Sequence, residues 1–161
     1  MTTVSVAIDI DAPPEVVWEF AMDPRATLRW VTIVRGVGDF DDGPLVPGFQ
    51  MEQTLALRGV PFHVHWTLVE VEAPFFARWE GRGPARSRAV IEDRLTPRVG
   101  GTRFEYSNSF RAPFGPLGSV ASRAAVGGIP EKEALASLRQ LKAILEGEPK
   151  AQPHPGARPS P

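Results

Sequence analysis

The chain has 161 residues, 42% hydrophobic and 23% charged, which suits one globular core and leaves little room for two. Eighteen basic against nineteen acidic residues give a net charge of -1, which excludes a global basic field for nucleic acid, and the lack of cysteine excludes disulfides, thiolate metal sites and a cysteine nucleophile. No uncharged run exceeds eleven residues, about half of what a membrane-spanning helix needs, and Met1 to Val4 lack the basic and apolar regions of a signal peptide, so a soluble, cytoplasmic protein is expected.

Val4, Val6, Ile8 and Ile10 alternate with Ser5, Ala7, Asp9 and Asp11, which predicts a half-buried strand. Pro13-Pro14-Glu15 then suits a first helical turn, and Val16, Val17, Phe20 and Ala21, with Trp18 beside them, give a short helical stripe. A second short helix is expected from Asp23-Pro24 to near Trp30. Neither is long enough to stand without packing partners.

After Trp30 the pattern is that of strands: 32–40, 49–58, 62–72, 75–82, 86–96 and 102–111. Asp41 to Pro44, Gly59-Val60-Pro61, Ala73-Pro74 and Gly100-Gly101 serve as connections. Such short loops imply an antiparallel meander of about seven strands, counting the first. Phe62, Val64 and Trp66 have the opposite parity to Val69 and Val71, which predicts a bulge between them. Leu135, Leu138, Leu141 and Leu145 mark an amphipathic C-terminal helix. Leu117, Val120 and Ala124 extend a similar stripe upstream, and Gly127 to Pro130 should kink it. Residues 148–161 are rich in proline and lack large apolar side chains; they are expected to form a disordered tail to a domain of residues 1–147.

This order predicts an α+β fold in which a curved seven-stranded antiparallel sheet wraps a long C-terminal helix, with two short helices after the first strand. One helix cannot cover so many strands if the sheet is flat, so space between the layers is expected. Trp66, Trp79, Phe104, Tyr106 and Phe110 stand at alternating strand positions and either line that space or fill the core.

The stretch from Ile8 through Ala12-Pro13 to Val17-Trp18, followed by Asp23 and Trp30, resembles the opening of the START/polyketide-cyclase (SRPBCC) superfamily, which has the helix-grip fold. Pro47-Gly48, Trp66 with Val69-Glu70-Val71 and Pro74, Leu95-Thr96-Pro97 with Gly100-Gly101-Thr102, and Leu138 to Lys142 extend the resemblance over about residues 4–146. The resemblance implies a deep, mostly apolar cavity between sheet and C-terminal helix, holding lipids, polyketides or similar molecules. Most such proteins bind or carry; some are aromatase/cyclases that promote aldol condensation and dehydration of a poly-β-ketone.

Met51, Gln53, Leu55, Trp66, Trp79, Ile91, Phe104, Tyr106 and Asn108 are the candidate ligand-lining residues. Gln53, an amide on an apolar face, must either contact ligand or bond a neighbouring side chain. Asp93 and Tyr106 are the candidates for catalysis: Tyr106 to orient a carbonyl, Asp93 as a desolvated base. An ion pair between Asp93 and a neighbouring arginine is the commoner arrangement and the one expected. His63 and His65 share a face, but that face turns to solvent if Phe62, Val64 and Trp66 point inward, so no metal site is expected. Gly36-Val37-Gly38 lacks the helix of a dinucleotide site, and no cofactor is expected. Arg82, Arg86, Arg88, Arg94 and Arg98 cluster with Glu80, Glu92 and Asp93, which predicts a self-neutralising surface rather than a nucleic-acid patch. The function expected is binding of a small hydrophobic or amphipathic molecule, with polyketide aromatase/cyclase activity as the alternative. A protein-partner role lacks a recognisable apolar surface.

Overall fold

The computed structural model describes residues 2–111 and 129–147. The strands are β1 (Thr2–Ile10), β2 (Val34–Phe40), β3 (Gln50–Leu57), β4 (Val60–Glu72), β5 (Phe76–Arg82), β6 (Arg88–Arg98) and β7 (Gly101–Arg111). They form one seven-stranded antiparallel sheet in the order β1-β7-β6-β5-β4-β3-β2. Two short helices follow β1: α1 (Pro14–Ala21), and α2 (Thr27–Trp30), entered through a 3-10 turn at Pro24–Ala26 whose N-cap Asp23 accepts from the Arg25 N–H. The C-terminal helix is α3 (Ile129–Leu145). Its first turn contains Pro130, where a missing N–H leaves no helical bond unmade. The expected upstream stripe of Leu117, Val120 and Ala124, the glycines Gly127 and Gly128, and the tail 148–161 lie outside the described residues.

Two connections differ from the sequence expectation. Gly59-Val60-Pro61 is not a loop: Arg58 and Gly59, at φ 50° and 79°, form a two-residue hairpin turn, so β4 begins at Val60. Pro61 pairs with Ala56, and β5 joins β4 only from His65, so the missing proline N–H leaves no bond unmade on that side. Thr32 is not in a strand either. Its N–H donates to Ser137 Oγ (3.0 Å) and its hydroxyl to the Glu133 carboxylate (2.5 Å), which ties the start of α3 to the chain after α2. A bulge is present as expected, but at Val69 itself rather than between Trp66 and Val69. Leu68 opposes Trp79 and Glu70 opposes Arg78, leaving Val69 as the extra residue and returning Val71 to the inner side opposite Ala77.

The inner face of the sheet carries Ile10, Phe104, Leu95, Leu68, Trp66 and Trp79, all buried. Leu138 and Leu141 of α3 join that core, and α3 packs chiefly on β1 and α2. At its far end Lys142 donates to the Asp9 carbonyl (2.7 Å), and Glu146 accepts from the Asp11 N–H (2.9 Å). The helix is thus clamped along one sheet edge. No helix among the described residues is long and apolar enough to cross a membrane.

Candidate functional site

Strand register brings the candidate residues onto one surface. Phe104, Tyr106 and Asn108 of β7 stand opposite Leu95, Asp93 and Ile91 of β6. Their other neighbours are Ile8, Val6 and Val4 of β1. Across β5, Ile91 meets Trp79 and Asp93 meets Ala77; across β4 and β3, Trp66 meets Gly81 and Met51, while Gln53 and Leu55 meet Val64 and Phe62. All nine predicted lining residues therefore belong to the inner face. Gly81 is needed there: a Cβ at this position would stand 2.5 Å from the Trp66 ring, so the indole lies flat where a side chain is missing. Edge-on contacts of Phe49 with Trp79 (6.2 Å) and Trp30 with Phe104 (6.3 Å) fix the rings farther in.

The polar groups on this apolar wall divide in two. Gln53 is satisfied: its Nε2 donates to Thr27 Oγ1 (3.1 Å), whose hydroxyl donates to the Pro24 carbonyl (2.7 Å). Of the two roles open to it, the amide thus takes the bond to a neighbour. Asp93 behaves otherwise. It is 5% exposed, and the expected arginine partner is missing: among the described residues no cation pairs with it, and Oδ1 accepts no hydrogen bond. The reason is register, because the arginines flanking Asp93 on β6 point to the outer face while Asp93 points inward. Burial without a compensating charge pushes its carboxyl from 3.8 up to about 7.

Beside it, burial and then the Asp93 charge push the Tyr106 phenol above its usual range, opposed by a hydrogen bond from Asn108. In that bond Asn108 Nδ2 donates to the Tyr106 oxygen (3.0 Å), which leaves the phenolic hydrogen free to donate elsewhere. Among the described residues, Asn108 Oδ1 is buried without a donor, and the indole N–H groups of Trp66 and Trp30 are buried without an acceptor. A buried polar atom left unpaired costs about 1–3 kcal/mol, so four of them around one apolar surface need an explanation. Trp30 was not among the expected site residues. It sits on a four-residue helix with no readable periodicity, and only its packing on Phe104 brings it here.

Elsewhere the outer face carries what the sequence assigned to solvent, with one correction. His63 accepts from or donates to Thr54 Oγ1 (3.0 Å) and His65 lies 3.5 Å from Glu52, both away from the aromatic wall. The arginines, however, do not neutralise one another's neighbourhood as expected. Arg98 pairs with Asp9 across the sheet edge and Arg94 lies over the Phe76 ring, 4.8 Å from its centre. Arg82, Arg86 and Arg88 pair with no carboxylate among the described residues. Glu92 is instead engaged by Arg78 (2.6 Å). Two of the pockets outlined by described residues, of about 340 and 180 Å³, lie on the outer face or its edge, around Ser5, Glu92 and Ser107 and around Asp39, Gln50 and His65. The expected hollow between sheet and helix is not among them. The inner face is closed by packing at Trp30, Phe104 and Phe49 and is only half-buried at Ile91, Tyr106 and Asn108.

A seven-stranded sheet gripping a C-terminal helix has known counterparts. Residues 1–146 match the family described as polyketide cyclase / dehydrase and lipid transport. The chain belongs to this family. Among sequence relatives it is 25% identical over 149 residues to Toxin Rv0910 of Mycobacterium tuberculosis, covering 91% of this chain and all of that one. Among solved structures it resembles TTHA0849 from Thermus thermophilus, with a TM-score of 0.75 and 15% identity over 89% of this chain and 97% of the other. It also resembles the Zhui aromatase/cyclase from a Streptomyces species, with a TM-score of 0.74 and 15% identity over 90% and 93%. At these identities the structural likenesses establish the helix-grip fold that the family shares.

Proposed function

We propose that the inner face of the sheet binds a small amphipathic molecule: an apolar body against Met51, Leu55, Trp66, Trp79 and Ile91, backed by Phe104, and hydroxyl or carbonyl groups at Asp93, Tyr106 and Asn108. The observation that carries this reading is the Asp93 carboxyl, buried with Oδ1 unpaired on a surface otherwise made of apolar side chains. A carboxyl near its midpoint at neutral pH donates to a ligand carbonyl when protonated and accepts from a ligand hydroxyl when ionised. Asn108 Oδ1 offers a second acceptor, and the indole of Trp66 a donor. Apolar burial, at ~25 cal/mol per Å², provides most of the affinity, and the polar groups set the orientation.

The test uses naphthol, an aromatic ring with one hydroxyl, followed by tryptophan fluorescence. Met51→Glu puts a charge on the wall and is expected to weaken binding by at least about tenfold in a folded variant. Unchanged affinity would remove this wall from the site. A second reading, aromatase/cyclase chemistry, is favoured by one feature: Asp93 titrates near neutrality beside a phenol whose hydrogen is free. It predicts that Asp93→Asn and Tyr106→Phe slow turnover of a poly-β-ketone mimic while leaving its affinity nearly intact. Full activity in both variants would leave the binding reading alone.

A further inference from the structure

The carboxylates of this chain are spread unevenly along the strands. At the end of the sheet formed by the Arg58-Gly59 turn, the segment between β5 and β6, and the end of β7, residues 53–69, 81–91 and 106–111 contain no aspartate or glutamate. They contain Arg58, Arg82, Arg86, Arg88 and Arg111. The opposite end mixes Asp9, Asp11, Glu15, Glu70 and Glu72 with Arg98 and Arg103. A net charge of -1 conceals this unevenness.

Register sharpens it. Arg82 stands directly opposite Arg88, and Arg88 directly opposite Arg111, so three exposed guanidinium side chains share the outer face of three neighbouring strands. Like charges in such cross-strand positions are destabilising, and among the described residues no carboxylate pairs with any of the three. The fold gains nothing from this row. On the inner side of the same sheet end, apolar side chains are left in the open: Val60 is 65% exposed and Phe110 37%. The rim therefore presents arginines on one side and apolar groups on the other, the combination that suits the interface of an anionic bilayer.

We infer that this end of the sheet docks on the anionic surface of a lipid membrane, the arginine row meeting phosphate headgroups while Val60 and Phe110 enter the headgroup boundary. The inference rests on the binding reading above only for its purpose: Ile91 and Asn108, paired across β6 and β7, lie two residues along each strand from Ala89 and Phe110, so docking would bring the ligand site to the bilayer. A neutral or weakly anionic partner would not require the row, and a nucleic acid would not use the apolar rim.

Co-sedimentation of the full chain with vesicles tests it, using phosphatidylcholine alone and phosphatidylcholine with about one-third phosphatidylglycerol at low salt. The expected result is binding to the anionic vesicles only, weakened by salt. Each arginine contributes about fivefold, so the triple variant Arg82→Gln/Arg88→Gln/Arg111→Gln should bind about 100-fold more weakly. Arg98→Gln/Arg103→Gln, which removes charge from the other end of the sheet, should bind as the parent does. No sedimentation with anionic vesicles, undiminished binding of the triple variant, or an equal loss in the control pair would each overturn the inference, as would retention by an oligonucleotide duplex but not by vesicles. Naphthol binding in solution, measured on the same triple variant, should be unchanged. Its loss in Met51→Glu or retention there speaks to the ligand site alone, so the two readings fail separately.

Discussion

Asp93 is the residue on which the chemistry of the inner face turns. Its carboxyl is ordinary at 3.8 in the unfolded chain and raised to about 7 in the fold, so the folded state holds the proton more tightly. Stability should therefore be undiminished below about pH 4, fall as pH rises through the interval, and carry the whole penalty, about 4 kcal/mol, above about pH 7. Asp93→Asn removes the titration: thermal unfolding of the variant should match the parent in acid and exceed it in alkaline buffer. Equal melting temperatures at both pH values would show that Asp93 is paired or hydrated. Gly81 makes a second residue-scale prediction. Gly81→Ala places a methyl 2.5 Å from the Trp66 ring, and displacing a buried indole in a packed layer should cost about 3 kcal/mol in urea unfolding and weaken naphthol binding. At this scale the sequence was a partial guide. The parity of Asp93 with Ile91 and Leu95 showed which way it points, but not that the flanking arginines, at the opposite parity, were thereby excluded as partners. Trp30 and the Gly81–Trp66 contact depend on non-local pairing that no local pattern encodes.

Among elements, the strands were legible because period-two alternation is enforced by burial of one face, and a one-residue slip would turn Trp66 and Phe104 to solvent. The bulge at Val69 was legible for the same reason, since the parity of the apolar residues changes there. Pro61 misled because proline and glycine together signal a loop, whereas here the glycine completes a tight turn and the proline opens an edge segment of β4. How α3 is held was not legible: Thr32, Ser137 and Lys142 are surface-type residues whose partners lie more than 100 positions away in the chain. They make the clamp testable. Thr32→Ala deletes the hydroxyl that bonds Glu133, and should lower stability by about 1 kcal/mol and speed amide hydrogen exchange in the first turns of α3. Unchanged exchange there would mean that Leu138 and Leu141 hold the helix unaided.

At the scale of the whole molecule, family membership, the helix-grip architecture and the uneven spread of charge are three separate facts, and they bear on different questions. The first two say that an apolar face is set against a terminal helix. The third says which end of the sheet meets an anionic surface. Total charge could not reveal it, because the unpaired arginine row appears only once strand ends are brought side by side. Whether the inner face takes up a ligand is decided most directly by nuclear magnetic resonance of the labelled chain titrated with naphthol. The account predicts shifts at the indole N–H groups of Trp66 and Trp30 and at the Asn108 amide, with broadening at Asp93 and Tyr106. Shifts confined to the outer groove around Ser5, Glu92 and Ser107, or no saturable shifts at all, would contradict it.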